Sequence, residues 1–120
     1  MIQFTVANSK NPVPYIRTTQ KQKWVDEAYK RYQAYKAEIY REFVKATGKL
    51  PHQILKPKTK YYVSIMAYYK DKTHADTDNV AKGVNDAIFQ KPLCDKYIAG
   101  FYDYGYNKEN PRLEITIKEA

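Results

Sequence analysis

The sequence predicts an α/β (α+β) protein in which a mixed β-sheet is packed with two helices, in the order β-α-β-α-β-β. Three observations lead there. Apolar residues alternate with polar ones in short segments, they recur at three- and four-residue steps in two longer stretches, and Pro, Gly and Asn punctuate the boundaries. Strands interleaved with helices in this way imply a sheet with helices laid on it. With 120 residues, 43% of them hydrophobic and 28% charged, the chain suits a single globular domain spanning 1–120 with one modest core.

Each element follows from its own pattern. Ile2-Gln-Phe-Thr-Val6 alternates and is rich in β-formers, which predicts a strand. Lys10 to Lys23 contains Pro12 and Pro14, lacks a period and carries Lys10, Arg17, Lys21 and Lys23, which predicts an extended cationic loop. From about Trp24 the residues Val25, Ala28, Tyr32, Tyr35, Ile39, Phe43 and Ala46 form one helical stripe. Asp26 and Glu27 suit the positive end of that helix and Lys45 its negative end, with Gly48 and Pro51 as the stop. Tyr61–Tyr69 reads as a strand apolar on both faces and hence central and covered on both sides. A second helix is expected from about Asp78 to Gln90, with Val80, Ala81, Val84, Ala87 and Ile88 on its apolar side and Pro92 beyond it. Two last strands, roughly Tyr97–Tyr104 and Arg112–Lys118, flank a turn over Gly105–Pro111.

The formal charge of +8 is unevenly spread. Residues 1–60 hold 13 Lys/Arg against 4 Asp/Glu, whereas residues 61–120 hold 8 against 9. A basic first half suits a polyanion, because Lys and Arg displace the counterions condensed on a phosphate backbone; a solvated cationic face is the plainer alternative. The 13 tyrosines serve either base stacking or a Tyr-built core. No apolar run reaches the roughly 18 residues of a membrane span, so no membrane partner is expected. The start lacks the basic-then-apolar pattern of a secretory signal. The lone Cys94 excludes a disulfide framework and a multi-cysteine zinc site, and together these make a reducing, cytoplasmic setting the default.

Chemistry is expected in His74-Ala-Asp76-Thr-Asp78-Asn79-Val-Ala-Lys82-Gly-Val-Asn85-Asp86, which leaves a central strand and enters a helix, where open α/β sheets tend to place their sites. At 100° per residue Asp78, Lys82 and Asp86 share one face, opposite Val80, Val84 and Ile88. Asp76 precedes the helix and can converge with Asp78. Two close carboxylates repel unless a cation or a proton intervenes, and all-oxygen ligands favour Mg²⁺ or Mn²⁺. Asp95, after a Pro-containing turn, offers a third carboxylate. The plainer readings are an N-cap or first-turn role for the aspartates, no special role for the loop residue His74, and packing for Cys94. The calcium-loop spacing, a Gly-rich phosphate loop and a nucleophile elbow are all missing.

The segment Asp76-Thr-Asp78-Asn79-Val-Ala-Lys82, the following Asp86-Ala-Ile and the later Leu93-Cys-Asp95-Lys-Tyr-Ile98 resemble the RusA family of Holliday junction resolvases, whose signature runs D-x-D-N-x-x-K. Lys10-Asn-Pro12-Val-Pro14-Tyr-Ile-Arg17 is similar to that family's N-terminal segment, and Asn110-Pro-Arg-Leu-Glu-Ile-Thr-Ile to its closing strand. Cys94 and Tyr97 depart from the pattern, standing where Asp and Gln are usual. The resemblance implies a RusA-like fold and a homodimeric, Mg²⁺-dependent endonuclease that nicks two symmetry-related strands of four-way junction DNA. It implies that Asp76, Asp78 and Asp95 are catalytic metal ligands and that Lys82 is a catalytic lysine. Lys10, Arg17, Lys21 and Lys23 would then grip the DNA backbone. A metal-dependent nuclease on other branched or single-stranded DNA, and a basic DNA-binding module with structural carboxylates, are the alternatives.

Overall fold

The computed structural model describes residues 1–7, 11–16, 27–90, 93 and 97–120. Along these the elements are β1 (Ile2–Ala7), α1 (Glu27–Thr47), α2 (Pro51–Ile54), β2 (Tyr61–Tyr69), α3 (Thr77–Ile88), β3 (Ile98–Tyr106) and β4 (Arg112–Glu119). The strands form one mixed sheet in the order β1-β4-β2-β3, so the α+β expectation holds. β2 and β3 are parallel, joined by the crossover helix α3, while β4 runs antiparallel to both β1 and β2. The link from β3 to β4 passes the end of β2, where the Asn107 N–H donates to the Tyr69 carbonyl at 2.8 Å.

Alternation decides which face is buried. Tyr61, Val63, Ile65, Ala67 and Tyr69 of β2 lie beside Leu113, Ile115 and Ile117 of β4 and Phe4 and Val6 of β1, forming one core with Tyr35, Ile39 and Phe43 of α1 and Val80, Val84, Ala87 and Ile88 of α3. Each fully buried Val, Leu, Ile or Phe here contributes roughly 1.5–3 kcal/mol of transfer free energy. Both helices present their 3.6-period stripes to this single face.

Four expectations need correction. Pro51 does not merely end a helix but begins the one-turn α2, a position that its fixed φ and missing N–H suit; Gln53 Oε1 accepts from the Leu50 N–H at 2.8 Å, and the helices number three among the described residues. On α1, Ala46 is exposed and Ala28 only half-buried, so the buried stripe narrows to Tyr32, Tyr35, Ile39 and Phe43. β2 is central, yet its second face is not covered by a layer: Tyr62, Met66 and Tyr68 are half-buried and Ser64 is exposed. Lateral contacts shield that face, with Arg112 4.1 Å from the Tyr68 ring and Tyr62 6.0 Å from Phe101. β3 begins one residue later than expected and runs two residues further, to Tyr106. Among the described residues no helix is long and apolar enough to cross a membrane.

Candidate active site

The site is built at the start of α3, just past the C-terminal end of β2. Asp76 is the N-cap residue, extended at φ −60° and ψ 136°, and its carbonyl accepts from the N–H groups of Asn79 (3.1 Å) and Val80 (3.2 Å). Its side chain makes no capping bond. Capping normally consumes an N-cap carboxylate; here it is left exposed, as is Asp78 in the first turn, and neither carboxylate has a hydrogen bond or ion pair among the described residues. Lys82, one turn on from Asp78, is also exposed, and its ammonium lies 4.5 Å from the centre of the Tyr15 ring.

Tyr15 is placed by backbone pairing. Its N–H donates to the Asn79 carbonyl at 2.9 Å, and it approaches so closely because residue 83 is glycine: a Cβ there would lie 3.1 Å from Tyr32 Cε1 and 3.5 Å from the Tyr15 nitrogen. Asn11 ties the same segment to the β2–α3 loop, accepting from the Lys70 N–H at 2.5 Å and donating to the Thr73 carbonyl at 3.4 Å. The proline-containing segment is therefore laid along the start of α3. Lys10, Arg17, Lys21, Lys23 and Asp95 lie outside the described residues.

His74 has a defined place in packing. Its ring stacks on Tyr69 at 3.7 Å and 6°, Nδ1–H donates to the Ala75 carbonyl at 2.8 Å, and Nε2 accepts from the Tyr106 hydroxyl at 3.0 Å. Tyr69 in turn meets the Thr77 hydroxyl at 3.0 Å. Burial pushes the Tyr69 phenol up; the Thr77 bond opposes this and the nearby Asp76 charge adds to it. The loop leading into Asp76 is thus clamped by aromatic contacts, which sequence reasoning missed because Tyr104 and Tyr106 approach from a distant strand.

Asp86 shares the helix face of Asp78 and Lys82 but is committed elsewhere. One oxygen, Oδ2, accepts from both Tyr32 Oη and Lys36 Nζ at 2.7 Å, joining α3 to α1. Burial works to raise the Asp86 carboxyl, but the bonds from Lys36 and Tyr32 and the charges of Lys36 and Lys82 outweigh it and leave it below its ordinary value. Burial and the same carboxylate push the Tyr32 phenol well above its usual range.

The uncommitted donors, Asp76 and Asp78, are all-oxygen and anionic, which fits a hard divalent cation. No group of three His, Cys, Asp or Glu that could hold a metal occurs among the described residues. β3 enters the sheet at the far end: Ile98 is in register with Tyr61, and only Tyr106 reaches the level of Tyr69.

An α/β fold presenting two unspent carboxylates and a lysine at a helix start, on a chain with a basic N-terminal half, has the equipment of a hydrolase acting on a phosphate backbone. Residues 6–118 match the endodeoxyribonuclease RusA family. The match spans nearly the whole chain, and the protein belongs to that family, which makes it a nuclease with DNA as its substrate class. A comparison with curated protein sequences found no match.

Proposed function

We propose that the chain is one RusA-like nuclease domain over residues 1–120 that acts as a Mg²⁺-dependent endodeoxyribonuclease, resolving four-way junctions by paired nicking in DNA recombination and repair. The observation that carries this is the Asp76 carboxylate, which stands at an N-cap without capping, beside Asp78 and on the same helix as Lys82.

Asp76 and Asp78, with Asp95 as the third carboxylate, would hold the ion. When bound, Mg²⁺ (or Mn²⁺) supplies the charge that polarises a scissile phosphate and lowers the pKa of an attacking water. Lys82 supplies three N–H donors and a positive charge to the phosphate oxygens as charge develops on them. The Tyr15 ring restricts where that ammonium sits, and Asn11 keeps the segment carrying Tyr15 against the α3 start. Lys10, Arg17, Lys21 and Lys23 contribute sequence-independent contacts to the DNA backbone. Two symmetric cuts need two sites, which a homodimer provides.

A DNA-binding module with structural carboxylates fits less well, since a structural Asp76 would be expected to cap α3. Incubating labelled four-way junction and linear duplex with Mg²⁺, Mn²⁺ or chelator tests the proposal. Metal-dependent cutting of the junction in preference to duplex is the expected result. Intact junction under every metal and pH would overturn it, and equal cutting of other branched or single-stranded DNA would redirect it to that substrate.

A further inference from the structure

β3 is an edge strand with no partner on its outer side among the described residues. Soluble proteins ordinarily blunt such edges with lysine, proline, a bulge or a covering loop. Ile98–Tyr106 contains no Lys, Arg or Pro and pairs with β2 without interruption over nine residues. It also exposes Phe101 (63%), Tyr104 (52%), Tyr106 (48%) and Tyr102 (37%). Its one charge is Asp103, on a chain of formal charge +8. A phosphate backbone is not drawn to this edge, whereas a second neutral, aromatic, unpaired edge complements it. At about 200 Å² per aromatic side chain the four rings offer on the order of 400 Å² per copy. Two copies thus supply about two thirds of the roughly 1,200 Å² at which specific interfaces begin, before the main chains are counted.

The topology gives a second, independent reason. Asp76 and Asp78 stand at the Tyr69 end of β2, as the Tyr69–Thr77 hydrogen bond shows. Ile98 stands at the Tyr61 end. Eight strand steps separate those ends, about 26 Å at 3.3 Å per residue. Asp95 precedes Ile98 by three residues, a reach of at most about 11 Å. One chain therefore cannot bring all three aspartates together.

We propose that a second copy of the chain pairs antiparallel with β3 about a two-fold axis. The start of one β3 then lies beside the end of the other, and Asp95 of each copy completes the carboxylate site of its partner's Asp76 and Asp78. The proposal rests on the metal-dependent nuclease reading above and specifies how its dimer forms. The contact is isologous, so one interface yields two sites, one for each strand to be cut.

Sedimentation velocity tests the interface. The wild type is expected to be a dimer. Phe101→Lys and Tyr104→Lys, which place an ammonium on opposite faces of β3, should give monomers with unchanged circular dichroism, while Thr5→Lys on the other edge strand should remain dimeric. A monomeric wild type, or Lys variants in β3 that stay dimeric, would overturn the proposal. Co-expressing differently tagged Asp76→Asn and Asp95→Asn chains tests the shared site: each alone should be inactive, but the mixed dimer contains one intact site and should nick a single strand of a labelled four-way junction. An inactive mixed dimer, or full activity of Asp95→Asn alone, would overturn donation across the interface. A wild type that dimerises through β3 yet cuts nothing would support the interface and overturn the proposed function instead.

Discussion

Replacing Asp86 by alanine should destabilise the fold while sparing the chemistry, although Asp86 lies on the same helix face as Asp78 and Lys82. Its Oδ2 holds Tyr32 Oη and Lys36 Nζ, both at 2.7 Å, and Tyr32 is only 2% exposed. Removing the acceptor strands a buried phenol, a cost of about 1–3 kcal/mol. The ion pair adds less, because the Asp86 side chain is 45% exposed and water screens it; about 0.5–1 kcal/mol is appropriate. Asp86→Ala should therefore lose about 2–3 kcal/mol at pH 7 in urea unfolding. Asp86→Asn, which keeps an acceptor, should lose about 1 kcal/mol. Tyr32→Phe combined with Asp86→Ala should lose less than the sum of the two, since the phenol is stranded only once. The pH dependence has a definite sign. The folded carboxyl sits below its ordinary 3.8, so its contribution is complete above that value and fades as pH falls through the lower, folded value. A loss under about 0.5 kcal/mol, strict additivity with Tyr32→Phe, or abolished junction cleavage by Asp86→Asn would refute the assignment of Asp86 to the α1–α3 clasp.

Other consequences are open to direct measurement. Asp76→Ala should change unfolding free energy by less than about 0.5 kcal/mol, because no side-chain cap is lost; a cost of 1 kcal/mol or more would show that the carboxylate caps after all. Gly100→Ala should cost about 1–3 kcal/mol in urea unfolding, because a Cβ would run into the Tyr102 phenol and break its hydrogen bond from Asn85, whose Oδ1 is already buried without a partner. Lys82→Met should slow single-turnover cleavage on the order of 10²-fold with little change in junction affinity, and an equal fall in both would place Lys82 in binding alone.

The fold was legible where one pattern ruled. Leu113, Ile115 and Ile117 alternate as a half-buried strand must, and Tyr32, Tyr35, Ile39 and Phe43 keep the helical step, so their buried faces were readable directly. Tyr61–Tyr69 misled in one respect, because tyrosine is apolar enough to look covered and polar enough to lie at a half-open surface. Pro51 misled because proline both ends one helix and starts the next. In the site, the local motif from Asp76 to Lys82 was visible as spacing on one segment. Its supports were not: Tyr15 reaching Asn79, Asn11 reaching Lys70 and Tyr106 reaching His74 join residues with no sequence period between them. Helical geometry likewise put Asp86 beside Lys82, and only the packing of α1 showed that it serves Tyr32 and Lys36.

The most direct test of the central claim compares binding and cleavage of one labelled four-way junction by wild type and Asp76→Asn in Mg²⁺. Cutting by the wild type, with none by the variant despite equal or tighter binding as a repelling carboxylate is removed, is the result this account predicts. Unchanged cutting by Asp76→Asn, or loss of binding together with cutting, would contradict it.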